Sequence, residues 1–271
     1  MLLCQISDPH LVPEGRLAYG RTDTPRMLER CVRKVLSLPR LPDAVVVTGD
    51  LTDHATVEDY GLLGELLRPL TMPVYLIVGN HDNREQLQQC FTDQPHLRGH
   101  DGFIQYVVDD FDVRLVMLDT LIPRAPGGEL CGRRLEWLDR TLAASDRPTV
   151  VAQHHPPFIT GMSFMDRMSL ANPREEAAVV ARYGHVERVI SGHYHRTIHA
   201  RFAGTIASVC PSCAHQLLLD LVPGADIRFT FEPSGFQLHL WNGSELVTHS
   251  QVVDDLPSWG AKDPGVRSTR R

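Results

Sequence analysis

Val74-Tyr75-Leu76-Ile77-Val78-Gly79-Asn80-His81-Asp82 decides how this chain is read: an apolar run passes directly into glycine and then into three side chains with metal-binding or acid–base chemistry. A short apolar run of this kind reads as a buried strand. An apolar run leading into such side chains recurs four times, twice through a glycine. Leu2 to Ile6 precedes Asp8-Pro9-His10, Ala44 to Val47 precedes Gly49-Asp50, Thr149 to Ala152 precedes His154-His155-Pro156, and Val186 to Ile190 precedes Gly192-His193-Tyr194-His195. Open α/β sheets place their ligand sites at the carboxyl ends of strands, so residues far apart in sequence are expected to converge on one rim.

The residue types suit two metal ions. A bridging ligand must offer acceptor oxygens to two cations, and Asp50, isolated after Gly49, is the candidate. Asn80 supplies a neutral oxygen; Asp8 and the imidazoles of His10, His154, His193 and His195 complete two mixed nitrogen and oxygen shells of the kind that suit Fe, Mn, Zn or Co. Gly49, Gly79 and Gly192 let the backbone turn at the rim without a Cβ obstructing the pocket. Two aspartates and a hydroxide give about −3 against +4 for two divalent ions, a residue of roughly +1 that matches a phosphodiester anion. Two metals about 3.5–4 Å apart stabilise both the attacking and leaving oxygens of an in-line displacement. Hydrolysis of a phosphate ester follows.

These motifs resemble the calcineurin-like metallophosphoesterase family, and within it the class III cyclic nucleotide phosphodiesterases and a related bacterial glycerophosphodiesterase, over residues 1 to about 215. The resemblance implies that Asp8, His10, Asp50 and His195 hold one metal, and Asp50, Asn80, His154 and His193 the other. It implies a bridging or terminal hydroxide as nucleophile, His81 as a phosphate contact or leaving-group acid, Asp82 orienting the His81 ring, and His215 as a second substrate contact. His155 is read either as a substrate contact or as a packed neighbour of a ligand. In purple acid phosphatases of the same superfamily a tyrosine stands three residues after the bridging aspartate; here it is Asp53, so no ferric-tyrosinate centre is expected.

The 271 residues suffice for a large buried core. A net charge of −6 argues against a nucleic-acid polymer as partner. The first strand starts at Leu2, which leaves no room for a secretory signal, and no apolar run reaches transmembrane length, so a cytoplasmic protein with no membrane contact is expected. Six dispersed cysteines fit reduced thiols. Cys210-Pro211-Ser212-Cys213 has redox spacing but no thioredoxin context.

Strands alternate with amphipathic helices through two thirds of the chain, the pattern of an α/β domain. Helices are predicted after Thr24-Pro25, stopped by Pro39; after Thr56, which with Asp59 resembles a capping box; around Leu135, Leu138 and Leu142; and from Asn172-Pro173 through Arg182. Beyond Gly204, Ala214 to Leu221, Ile227 to Glu232 and Phe236 to Trp241 read as strands of a second, partly antiparallel sheet. The expected fold is an αββα two-sheet sandwich with a small C-terminal β appendage: a catalytic region 1–215, strands over 216–256 that complete the second sheet and offer an oligomerisation region, and a mobile tail over 257–271. Asp119 is read as a brace and Arg84 as a surface residue. Residues 156–171, with Phe158, Met162, Phe164, Met165 and Met168, are expected either to overhang the metals or to lie at a subunit contact, and a homo-oligomer is expected.

The leading reading is a two-metal hydrolase of small phosphodiesters, glycerophosphodiesters or 3′,5′-cyclic nucleotides. A phosphomonoesterase would use the same centre. A non-catalytic scaffold of the same fold is the third reading, and the filling of all seven ligand positions weighs against it.

Overall fold

The computed structural model describes residues 1–257, so the tail expected to be mobile lies, beyond residue 257, outside the described residues. In chain order the elements are β1 (Leu2–Ile6), α1 (Thr24–Leu36), β2 (Ala44–Thr48), α2 (Val57–Leu67), β3 (Val74–Ile77), α3 (Arg84–Cys90), β4 (Tyr106–Val108), β5 (Arg114–Met117), α4 (Gly132–Ala143) and β6 (Thr149–Ala152). They continue with α5 (Ser163–Asp166), α6 (Pro173–Val180), β7 (Val186–Ser191), β8 (Ile198–Phe202), β9 (Thr205–Val209), β10 (Gln216–Leu217), β11 (Phe229–Thr230), β12 (Gly235–Trp241) and β13 (Leu246–Val252).

Two large sheets result. The first has the order β13-β12-β1-β2-β3 and the second β4-β5-β6-β7-β9-β8, with β10 and β11 paired as a separate ribbon. The three motif-bearing strands β1, β2 and β3 run parallel in the first sheet, while β6 and β7 run parallel in the second. The rim foreseen from sequence is thus two rims, one per sheet, brought face to face.

Alternation along the strands builds the layers. In β5, Leu115 and Met117 join the cluster shared with β1, β2 and β3, whereas Val116 joins the one under α4 and α6; in β6, Val150 and Val151 divide the same way. Leu28, Val32 and Val35 of α1 and Leu63 of α2 close the first sheet, and Leu138, Leu142, Val179 and Val180 close the second. Helix, sheet, sheet and helix are therefore stacked in that order. Strands buried on both faces explain why the motif-bearing runs read as continuously apolar rather than alternating.

The helix signals act as read, with one exception. Thr56 and Asp59 form a reciprocal capping box on α2, and α1 ends at Leu36, ahead of Pro39. Asn172 makes no side-chain cap on α6: its amide instead accepts from Leu130 N at 2.9 Å and donates to Leu130 O at 2.6 Å, and the helix ends at Val180 rather than Arg182. The C-terminal strands also depart from expectation. They do not complete the second sheet; β12 lies antiparallel beside β1 and β13 beside β12, so the pair widens the first sheet, and only the β10–β11 ribbon is an appendage. Gln5 explains the attraction: its Nε2 donates to Thr48 Oγ1 at 3.0 Å and to Ser191 O at 2.9 Å, while its Oε1 meets His239 Nε2 of β12 at 3.1 Å. This buried amide joins both sheets and the late strand directly beneath the motifs.

A second buried polar group carries a cost. Burial pushes the Glu176 carboxyl of α6 up to about 8, its one partner being Gln153 Nε2 at 3.2 Å. The folded state therefore keeps a proton that the unfolded chain releases above the ordinary glutamate value, so stability falls as pH rises from about 4.5 to about 8 and levels off beyond. Glu176→Gln mimics the protonated form. It is expected to raise stability at pH 7 on the order of 3 kcal/mol, roughly 6–12 °C in Tm, and to flatten the decline. Melting curves at pH 5, 7 and 8 check this; equal gains at all three would show that the carboxyl is not held neutral.

Candidate metal centre

All seven expected ligand side chains meet where the carboxyl ends of the two sheets oppose each other. Asp50 stands between them. Its Oδ2 lies 3.4 Å from His10 Nε2 and 3.3 Å from His154 Nε2, and its Oδ1 accepts from His81 N at 2.9 Å. On one side, His195 Nε2 lies 3.5 Å from Asp8 Oδ1 and 3.1 Å from His10 Nε2. On the other, His154 Nε2 lies 3.2 Å from Asn80 Oδ1, with the His193 ring 5.0 Å away between centroids. His193 N donates to Asp8 Oδ1 at 2.9 Å, tying the second sheet's loop to the first sheet's motif.

The donor set fits cations because each imidazole has its other nitrogen committed. His154 Nδ1 lies 2.8 Å from Thr48 O, His195 Nδ1 2.8 Å from His215 O, and His193 Nε2 3.0 Å from Met168 O. A carbonyl oxygen only accepts, so these ring nitrogens carry a proton, and in the neutral ring the opposite nitrogen is the one left free to bind a cation. His10 Nδ1 is held by Asp53 Oδ1 at 3.2 Å, which leaves its Nε2 bare in the same way. Lone pairs of His10 and His195 at 3.1 Å repel unless a positive charge lies between them. Outer hydrogen bonds that fix the tautomer are the usual companions of metal-ligating histidines.

Electrostatics point the same way. Burial and the charge of His154 push His193 down to about 3, and burial with neighbouring His215 and His10 holds His195 well below the usual imidazole value, so both rings are neutral. Burial raises Asp8 to about 6 against the opposing charges of His154 and His10. For Asp50 burial is outweighed by His154 and His81, which hold the carboxyl well below its ordinary value; burial of His154 is in turn outweighed by Asp50, which lifts it to about 9. The carboxylates thus draw protons toward the imidazoles where no metal competes for them.

The backbone is bent to serve this convergence. Asp8, His10, Asp50, His193 and His195 all have positive φ, between 43° and 72°. Such conformations cost about 1–3 kcal/mol each for non-glycine residues and cluster at functional sites. The glycines stand where a side chain would collide: a Cβ on Gly49 would lie 2.5 Å from His154 Nδ1, and one on Gly192 2.1 Å from Ser7 Oγ.

Several roles expected from sequence are redistributed. Asp82 does not orient His81; its carboxylate accepts from Gly79 N, Leu51 N and Tyr60 OH at 2.8, 3.1 and 3.1 Å, bracing the loops that carry Asn80 and Asp50. Asp53 takes the place expected of Asp82, with its carbonyl 3.2 Å and its Oδ1 3.4 Å from His81 Nδ1. Its position three residues after Asp50 was the available signal. His155 is buried, with Nδ1 on Thr120 Oγ1 at 2.8 Å and Nε2 on Pro126 O at 3.3 Å, so it packs beside the centre instead of facing substrate. Arg84 is not a loose surface residue. It grips Asp119 with both Nε and Nη2, at 2.6 and 2.7 Å, and the pair is a brace.

A pocket of about 110 Å³ opens over the centre, walled by Asn80, His81, His193 and His195 together with Met165, Met168 and Phe229. Residues 156–171 therefore overhang the site. Asp166 organises them by accepting from Thr160 N and Gly161 N, and Tyr194 OH, between the two motif histidines, donates to it at 2.9 Å. The Cys210/Cys213 pair is buried and both thiols are raised by burial, which makes neither a ready nucleophile.

The chain is 34% identical over 256 residues to a probable glycerophosphodiester phosphodiesterase, GpdQ, of Arcobacter nitrofigilis, covering 93% of each chain. It is 31% identical over 261 residues to the 3′,5′-cyclic adenosine monophosphate phosphodiesterase CpdA of Pseudomonas aeruginosa, covering 94% of this chain and 91% of that one. Its fold matches a dimetal phosphatase from Danio rerio with a TM-score of 0.70 at 15% identity, covering 94% and 97% of the two chains. The family profile described as calcineurin-like phosphoesterase matches residues 1–197. The chain belongs to the calcineurin-like phosphoesterase family.

Proposed function

We propose that this protein hydrolyses small phosphodiesters, glycerophosphodiesters or 3′,5′-cyclic nucleotides, at a pair of divalent ions held by Asp8, His10, Asp50, Asn80, His154, His193 and His195. The observation that carries the reading is the meeting of the His10 and His154 Nε2 atoms with the Asp50 carboxylate, at 3.4 and 3.3 Å, on a rim opening into the pocket. Imidazole and carboxylate donors suit Fe, Mn, Zn or Co. Such ions supply Lewis acidity and lower the pKa of bound water toward ~7.

The chain's own residues do the rest. Asn80 and Asp50 sit on loops braced by Asp82, which fixes where a phosphoryl oxygen binds. His81, about a third exposed at the mouth, is the group available to donate a proton to the departing alkoxide, its ring steadied by Asp53. Met165, Met168 and Leu217 narrow the pocket and limit water.

A diester is favoured over a monoester on charge. Among the described residues the pocket walls hold no lysine or arginine, so the cations face a substrate with little further positive charge, which suits a monoanion better than a dianion. After chelation and reconstitution with Mn, bis(p-nitrophenyl) phosphate is expected to be turned over with kcat/KM at least about tenfold above that for p-nitrophenyl phosphate, a difference of about 1.4 kcal/mol in barrier. Preference for the monoester would reverse the assignment. Six free cysteines support a reduced, cytoplasmic setting, and exposed Leu219, Leu221 and Val222 support self-association, which sedimentation analysis tests.

A further inference from the structure

Beside the metal pocket lies a larger chamber of about 360 Å³, and the two cavities share Tyr19 and Phe229 in their walls. The smaller cavity suits a phosphoryl group; the larger has the size of a small-molecule site. Tyr19 and Phe229 place their rings 4.4 Å apart with planes 31° from parallel, and the His215 ring stands edge-on to both, at 5.2 and 5.0 Å. Phe231, two residues beyond Phe229 and 78% exposed, adds a third aromatic wall that is left open among the described residues.

His215 marks the seam between the cavities. It is 4% exposed, and neither ring nitrogen has a hydrogen-bond partner among the described residues. Buried polar atoms are nearly always paired, so a group lacking a partner points to a ligand that brings one. Charge narrows that ligand further. The chamber wall contains no carboxylate; Arg228 is paired with Asp220 at 2.8 Å, whereas Arg21 has no acidic partner among the described residues. An aromatic box carrying a guanidinium repels an ammonium headgroup and accepts a flat, neutral π-system with edge acceptors.

We propose that this chamber seats a nucleobase, so that the diester cleaved in the adjoining pocket carries a nucleoside as its alcohol; this narrowing rests on the hydrolytic reading above. The base lies against the aromatic wall, the Arg21 guanidinium meets its acceptor edge, and His215 hydrogen-bonds the sugar. Diesters of glycerol and ethanolamine carry no ring to fill the chamber and place an ammonium group beside Arg21.

The test uses the Mn-loaded full chain. For the parent, kcat/KM for 3′,5′-cyclic AMP should exceed that for glycerophosphoethanolamine. Phe231→Leu, a change at an exposed ring, should lower the ratio of the two by about tenfold, chiefly through KM for the nucleotide, and Phe231→Trp should restore it. Adenosine, which has no phosphate, should bind the metal-free protein in calorimetry and bind more weakly to Phe231→Leu. Glycerophosphoethanolamine as the better substrate, with a ratio indifferent to Phe231 and no adenosine binding, overturns the nucleobase assignment while leaving the diesterase intact. Absence of all diester turnover with adenosine still bound would remove the hydrolytic reading and keep the chamber.

Discussion

Asp50→Ala should strip both metals and lower kcat/KM by at least about a thousandfold, because a two-metal centre contributes several kcal/mol of transition-state charge stabilisation. The size of the effect follows from position. Among the described residues Asp50 Oδ2 is the one oxygen within 3.4 Å of imidazoles on both sides of the site, and Oδ1 also holds His81 N, so one truncation removes the shared acceptor and releases the loop carrying the proposed acid. Asp50→Asn keeps the shape and the bond to His81 while deleting the charge. It should retain the fold by circular dichroism yet bind fewer than two ions by metal analysis. If either variant kept two ions per chain and turnover within about tenfold of the parent, a single shared bridge would be the wrong description.

Gly79→Ala should also be damaging, although Gly79 is not itself an expected ligand. A Cβ there would lie 2.2 Å from Asp50 Oδ1 and 2.3 Å from Asp50 N. The second contact is with backbone, so no rotamer change relieves it. The strand end carrying Asn80 and the turn carrying Asp50 must separate, which moves ligands of both shells. Misplaced outer supports typically cost 10–100-fold in metal affinity or activity, and over-packing about 1–3 kcal/mol in stability. Metal titration, denaturant unfolding and the diester assay read the three effects; normal affinity for both ions would show that the loops yield without consequence.

How much of this could be read from residues alone depends on whether the cause was local. The motifs were legible because each set of ligands follows its apolar strand within a few residues, and the capping box on α2 because its partners are three residues apart. The partition of five motif strands between two sheets was not, since it is set by pairing over long separations. The strand register of β12 escaped for the same reason: its attraction to β1 depends on Gln5 and His239 meeting inside the core. Asp82 and Asp53 show the limit at the site. Both follow a ligand motif closely, but which of them faces a histidine depends on Tyr60 and on the amides of Leu51 and Gly79 claiming Asp82 first. Tyr19, Phe229 and Phe231 carried no motif, and only the folded loops bring them beside the metals.

The place of β1 has a consequence for synthesis. One of its edges is taken early by β2, but the other waits for β12, with Leu2 opposite Leu240. At ribosomal speeds of about 5–20 residues per second that wait lasts roughly 10–50 s, during which an apolar edge stands open to any other growing chain. A nascent polypeptide stalled before Gly235 would carry every ligand of the proposed centre and still present that edge, which makes arrested chains of this protein natural clients for a chaperone.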